Sequence, residues 1–218
     1  MAGQPSDEEN DWQKQLEELK DPVTIVVHQS QAPNEYLEEF KPRLSELSEK
    51  YDLIDLKFVQ EEGDPEDQVK HLVDHFPAFV ILDKDGNDHG IRFYGCPAGN
   101  IFTSFISTIA MLSSGENGME EAEVDEARKL EETDIQVLVT PNAPSINSTI
   151  DITHRLCFIN DKVKACVIEL IQFPDIAEQY RVLGIPKTII NETQHYTGQF
   201  TLKEGLEIIQ KKISDAED

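Results

Sequence analysis

The chain has 218 residues, 39% of them apolar, enough to fill the core of one large domain or two small ones. Its 43 acidic against 19 basic side chains give a formal charge of -24, which repels phosphate backbones and anionic headgroups and so argues against nucleic acid and membrane surfaces as partners. The opening MAGQPSDEEN has no basic or apolar targeting region, and nowhere do roughly 20 apolar residues run together, so the expected location is the cytoplasm.

DWQKQLEEL opens the pattern of elements, with Trp12, Leu16 and Leu19 at helical spacing, and VTIVVH follows as an apolar run suited to a central parallel strand. The polar loop QSQAPNE leads into the helix NEYLEEFKPRLSELSEKY, which Pro42 is expected to kink. LIDLKFVQ reads as a strand and PEDQVKHLVD as a short helix. Phe76-Pro77 then immediately precedes the strand AFVIL, and Lys84-Asp85-Gly86-Asn87 turns the chain back into an antiparallel partner, Gly86 supplying the positive φ of a tight hairpin. The amphipathic NIFTSFISTIAML closes this half. In SSGENGMEEAEVDE, Gly, Ser and Glu crowd together and place a boundary near residue 115, giving domains 1–115 and 116–218.

The same order then recurs. VDEARKLEE is a charged helix, IQVLVT a strand, TPNAPSI a loop with the same Ala-Pro pair as QSQAPNE, and SINSTIDITHRLCFIN a helix. The strand KVKACVIELI and the short helix PDIAEQYRVL follow. Ile185-Pro186 stands before the next strand as Phe76-Pro77 does in the first half, and LKEGLEIIQKKI is the closing helix.

This order, α-β-loop-α-β-α-Pro-β-β-α read twice, resembles the thioredoxin fold in tandem. The implied class is α/β, two thioredoxin-like domains, each with a mixed four-stranded sheet between helices. GIRFYGCPAGNIF, TPNAPSI and FPDIAEQYRVLGIPKTII carry a narrower resemblance, to the glutaredoxin-like protein disulfide oxidoreductases of archaea and thermophilic bacteria. In that family each loop ordinarily holds a CxxC pair, the second as Thr-Pro-x-Cys-Pro-x-Cys. Here Thr140, Pro141 and Pro144 keep the frame, while Ala143 and Ile146 stand where the thiols belong. Aligning the Ala-Pro pairs puts the first-half positions at Ala32 and Glu35. The resemblance also makes Pro77 and Pro186 the counterparts of the family's cis-proline.

Disulfide exchange needs a thiolate at a helix N-terminus and a second thiol to release the mixed disulfide, and neither alanine nor isoleucine attacks sulfur. Ser145 has no base beside it in sequence and reads as a helix N-cap. The resemblance therefore implies a redox-inactive relative that binds extended polypeptide or a protein partner at grooves edged by Phe76, Pro77, Ile185 and Pro186, and that uses no cofactor.

Two alternatives stay open. Cys96, in the loop RFYGCPAG beside the first groove, would give a residual single-thiol oxidoreductase if exposed; packed, it is inert. The acidity alternatively fits a structural or cation-buffering role. Cys157 and Cys166 read as small buried hydrophobes. His28 ends the first strand and would line the vacant first loop, whereas His71 and His75 share a helix face without further ligands, and His154 and His195 stand alone, so no metal site is expected.

Overall fold

The computed structural model describes residues 7–60 and 72–217. Helix α1 (Asp7–Glu17) precedes β1 (Val23–Gln29), α2 (Glu35–Lys50), β2 (Ile54–Gln60), β3 (Ala78–Leu82), β4 (Asp88–Tyr94) and α3 (Asn100–Ser114). The second half supplies α4 (Glu121–Ala127), β5 (Thr133–Val139), α5 (Ile146–Ile159), β6 (Val163–Glu169), α6 (Pro174–Gln179), β7 (Lys187–Ile190), β8 (Gln194–Thr197) and α7 (Leu202–Glu217). The short helix expected over PEDQVKHLVD falls largely outside the described residues, as does His71.

Both halves use the same pairing. In the first, β1 pairs parallel with β2 and antiparallel with β3, which pairs antiparallel with β4. In the second, β5 does the same with β6 and β7, and β7 with β8. The hairpin between β3 and β4 turns at Gly86, whose φ is +75°, and Asp83 Oδ1 accepts from the amides of Asp85 and Asn87 at 2.9 Å each. That is the turn chemistry expected of a short polar side chain beside a left-handed glycine.

The two sheets are not separate. β4 pairs parallel with β6 from Ile91–Ala165 to Tyr94–Ile168, joining the halves into one eight-stranded sheet of order β2-β1-β3-β4-β6-β5-β7-β8. Each half would otherwise leave an inner edge of unpaired backbone groups, which association satisfies.

One core covers the sheet face under α1, α2, α3, α5 and α7, where Leu16, Phe40, Phe105, Leu156 and Leu206 meet Ile25, Phe79, Phe93 and Val137. Edge-to-face ring contacts run through it, Phe40–Phe79 at 5.8 Å, Phe79–Phe105 at 5.9 Å and Phe105–Phe93 at 5.2 Å. Each fully buried ring of this size stabilises the fold by about 1.5–3 kcal/mol through area alone. On the opposite face the cores are smaller, around Tyr94, Ile168 and Ile176 and around Val26, Val59 and Val80. Helix α2 runs from Glu35 to Lys50 as one element with Pro42 inside it.

Candidate functional site

Each half brings a strand, a loop and a helix start together beside a proline. Ala32 lies three residues before Glu35, the first residue of α2, and Ala143 three residues before Ile146, the first of α5. The peptide bonds Phe76-Pro77 and Ile185-Pro186 are both cis. The ladders of β3 and β7 with their inner neighbours end at Ala78 and Lys187, so Phe76 and Ile185 stand just beyond the last paired rungs.

The first helix start is open. Asn34 caps α2, its Oδ1 accepting from Leu37 N at 2.9 Å, which satisfies one of the orphan amides of the first turn. Beside it lies a cleft of about 370 Å³ whose walls include Gln29, Ala32, Asn34, Lys41, Gln60 and Pro77. Lys41 Nζ also donates to Glu38 at 2.6 Å at the rim. The cleft wall carries the amides of Gln29, Gln31, Asn34 and Gln60 and the Ser30 hydroxyl, groups that pair with peptide backbone, and no thiol lines it. Of the residues expected at this site, Ala32 and Pro77 meet in the cleft. Glu35 is exposed on the helix and Phe76 is half-buried, and neither lines it. His28 is wholly buried on β1 and stays out of the cleft, correcting its expected place there.

The second helix start is closed. Ile146 is fully buried in the main core and Ala143 packs against it. The loop is also held from behind by the first half. Asn100 Nδ2 donates to the Ala143 carbonyl, and Asn100 N to the Pro141 carbonyl, each at 2.9 Å. Gly99, at φ +55°, permits this approach, because a Cβ there would come within 2.5 Å of the Pro141 carbonyl oxygen. Ser145 occupies the cap position but has φ +59° and makes no side-chain cap bond, so the capping role expected of it is not realised. Ile185 is packed into the core and Pro186 is buried. Ala143, Ile146, Ile185 and Pro186 line none of the four principal cavities among the described residues.

All three thiols are held above the ordinary cysteine range. Cys96 is 3% exposed, and its amide donates to Gln172 Oε1 at 3.0 Å. Burial, aided by the Glu169 carboxylate, pushes its thiol up to about 12. The reading of Cys96 as an exposed, reactive thiol is therefore corrected: desolvation with a nearby negative charge disfavours the thiolate that exchange requires. Cys157 is buried, and burial raises its thiol too. Cys166, expected to be buried, is half-buried and lines a cavity of about 520 Å³ on the open sheet face, where burial and Asp134 raise its thiol.

Sequence reasoning missed Asn100 and Gln172, the residues that weld the two halves at this point. Their signal is the pair of positive-φ glycines, Gly95 and Gly99, around Cys96: two such positions in five residues mark a loop that another backbone approaches closely. Among the described residues, no group of three or more His, Cys, Asp or Glu side chains is placed to hold a metal ion. No helix among them is long and apolar enough to cross a membrane.

No family model matches the chain. It is 23% identical over 192 residues to the AhpF component of alkyl hydroperoxide reductase from Escherichia coli, a match covering 87% of this chain and 34% of that protein. It is 22% identical over 138 residues to an NADH dehydrogenase of Ferdinandcohnia aciditolerans, covering 63% and 26%. The chain thus spans between a quarter and about a third of the length of these curated relatives. Among solved structures, the N-terminal domain of the alkyl hydroperoxide reductase component AhpF from Enterococcus faecalis superposes with a TM-score of 0.87 at 21% identity, covering 95% of this chain and all of that one. A protein disulfide oxidoreductase from Aeropyrum pernix gives 0.83 at 23% identity, covering 97% and 94%. The fold is the thioredoxin-like one, in tandem.

Proposed function

We propose that this chain is a redox-silent thioredoxin-fold module that holds extended polypeptide, or an extended segment of a protein partner, in the cleft at the first helix start. Carrying this reading is one contrast: the cleft stays open against Pro77 although no thiol lines it, and all three thiols of the chain sit elsewhere with raised pKa values. The relatives' names are those of redox enzymes, a reductase, a dehydrogenase and a disulfide oxidoreductase, and a disulfide relay needs two exchanging thiols. Ala32, Glu35, Ala143 and Ile146 offer none, so grip without electron transfer is the chemistry left to the site.

Binding would use the amides of Gln29, Asn34 and Gln60 and the hydroxyl of Ser30 against peptide backbone, with Leu37 as an apolar contact in the cleft wall. Of the two expected grooves the reading keeps the first, because Pro77 borders a cleft whereas Ile185 and Pro186 line none of the four cavities described above. The test is anisotropy of a labelled, reduced and alkylated unfolded polypeptide. Wild type should bind it, and Ala32→Trp, which fills the cleft, should weaken binding about tenfold, close to 1.4 kcal/mol, with an unchanged circular dichroism spectrum. Equal binding by Ala32→Trp removes the cleft from the reading, and insulin reduction above the dithiothreitol background overturns redox silence.

A further inference from the structure

The eight-stranded sheet has two outer margins, β2 and β8, and they differ. β2 pairs with β1 along its whole length, and among the described residues no strand lies on its other side. The direction of its backbone groups follows from one bond. Val23 N donates to the Leu53 carbonyl at 2.9 Å, and in a parallel ladder such groups alternate, so Asp55, Lys57 and Val59 also turn toward β1. Ile54, Leu56 and Phe58 turn outward. The Ile54 amide is already bonded to the Tyr51 carbonyl at 2.9 Å, which leaves the Ile54 carbonyl and both groups of Leu56 and Phe58 as a template for another strand.

The side chains alternate as well. Ile54 is buried, Leu56 packs half-buried against the main core, and Phe58, under the Lys41 ammonium of α2 at 5.6 Å, is 39% exposed. Asp55 and Lys57 stand exposed on the other face, the face of Val59. A lone lysine commonly blocks an edge strand. Here it is matched by an aspartate two residues earlier, and Ile54-Asp55-Leu56-Lys57-Phe58 complements itself when reversed: Leu56 falls opposite Leu56, Asp55 opposite Lys57 and Ile54 opposite Phe58. β8 offers no such match, since Gln194-His195-Tyr196-Thr197 contains no acidic residue.

We propose that β2 is a dimer seam, pairing antiparallel with β2 of a second copy about a two-fold axis at Leu56. The two Leu56 residues exchange N–H···O bonds, and each Phe58 amide donates to the opposite Ile54 carbonyl. Asp55 and Lys57 then occupy the non-hydrogen-bonded pairs, where facing Cα atoms approach to about 4.5 Å and side chains interact most closely. The exposed Phe58 ring gains the opposite Ile54 as a neighbour. The occupant is a second copy rather than a foreign strand because charge and apolar groups both match within the one segment, and an isologous contact of this kind closes at two copies. The flank of α2 above the seam permits the approach in spite of the formal charge of -24. From Lys41 it continues at helical spacing through Ser45 and Ser48, half-buried residues without charge. So short a ladder belongs to the small class of specific interfaces, with a Kd on the order of tens of micromolar.

The test is sedimentation of the full chain, with no polypeptide added, at about 0.15 M salt, where net charge is screened beyond about 8 Å and closer pairs are not. Between about 5 and about 500 μM, wild type should pass from monomer to dimer. Asp55→Lys sets like charges at both contacts and should weaken dimerisation at least about tenfold, as should Lys57→Asp. Carrying both substitutions in one chain should restore it, and an equimolar mixture of the two single variants should form heterodimers, since every facing charge is then opposite. Hydrogen exchange on wild type needs no variant: the amides of Leu56 and Phe58 should slow at the higher concentration, while those of Asp55 and Lys57, which face β1, should not change. A chain still monomeric at about 500 μM overturns the seam. So does a dimer that the single variants leave intact, that the exchanged pair fails to regain, or that leaves the Leu56 and Phe58 amides exchanging as before.

Discussion

The two helix starts share a frame and have opposite fates. At Ala32 the loop ends in an Asn34 cap and leaves a polar cleft beside Pro77; at Ala143 the loop is held by Asn100, and Ile146 fills the space from within. The frame therefore does not decide what becomes of such a site. The residue at the helix start does: the charged Glu35 leaves the pocket to solvent, whereas the branched apolar Ile146 draws the helix start into the core.

The largest effect that distinguishes the two is thiol reactivity. Introduced as Ala32→Cys, a thiol should react with an aromatic disulfide reagent as a free one does, while Ile146→Cys should lag by at least about a hundredfold, as should native Cys96, whose thiolate population is about three orders of magnitude below that of a free cysteine. Similar rates at Ala32→Cys and Ile146→Cys would erase the open-versus-closed distinction.

Stability comes next. Ile146→Ala should cost about 2–4 kcal/mol in urea unfolding, because it empties a fully buried site, while Glu35→Ala should stay within about 0.5 kcal/mol. Equal losses would mean that Ile146 does not seal its pocket.

A third difference appears with pH, since the second half alone carries the buried His154 on its site helix. With its pKa pushed down to about 3, His154 stabilises the fold above its unfolded value, near 6.5, and disfavours it as pH falls and the unfolded chain takes a proton. Between pH 7.5 and 5 this amounts to about 2 kcal/mol lost, offset by about 1 kcal/mol gained at Asp151, whose carboxyl is raised to about 6. His154→Gln should flatten the loss, and an unchanged slope would show that the imidazole is not kept neutral. The smallest effect is at Asn100→Ala, about 1 kcal/mol for its side-chain bond, with faster amide exchange confined to residues 140–146. Exchange that does not change there would relieve Asn100 of its part in closing the second loop.

Much of this was legible in the sequence. Apolar runs such as VTIVVH, the repeated Ala-Pro loops and the proline before each returning strand carried the tandem order, because local periodicity and turn chemistry sufficed for them. The joint did not announce itself. That β4 lies beside β6 depends on edge pairing between distant segments, and Gly99, Asn100 and Gln172 act through contacts more than 40 residues away. Nor does a sequence say which side chain faces inward at a helix start: Ile146 and Glu35 occupy the same frame, yet one is sealed in and the other exposed. His154 looked isolated because its partner Thr108 lies on another helix, 46 residues distant.

The pairing of β4 with β6 also bears on how many units such a chain can carry. The contact is head-to-tail, so the same operation would add a third unit and then a fourth along an open-ended array. Four rungs, Ile91 to Tyr94, make the joint, and β8 at the far margin is four residues long as well, so the second unit keeps an edge as long as the stretch the first has used; severed from the second, the first unit would be left with an adhesive margin and every copy of itself as a partner.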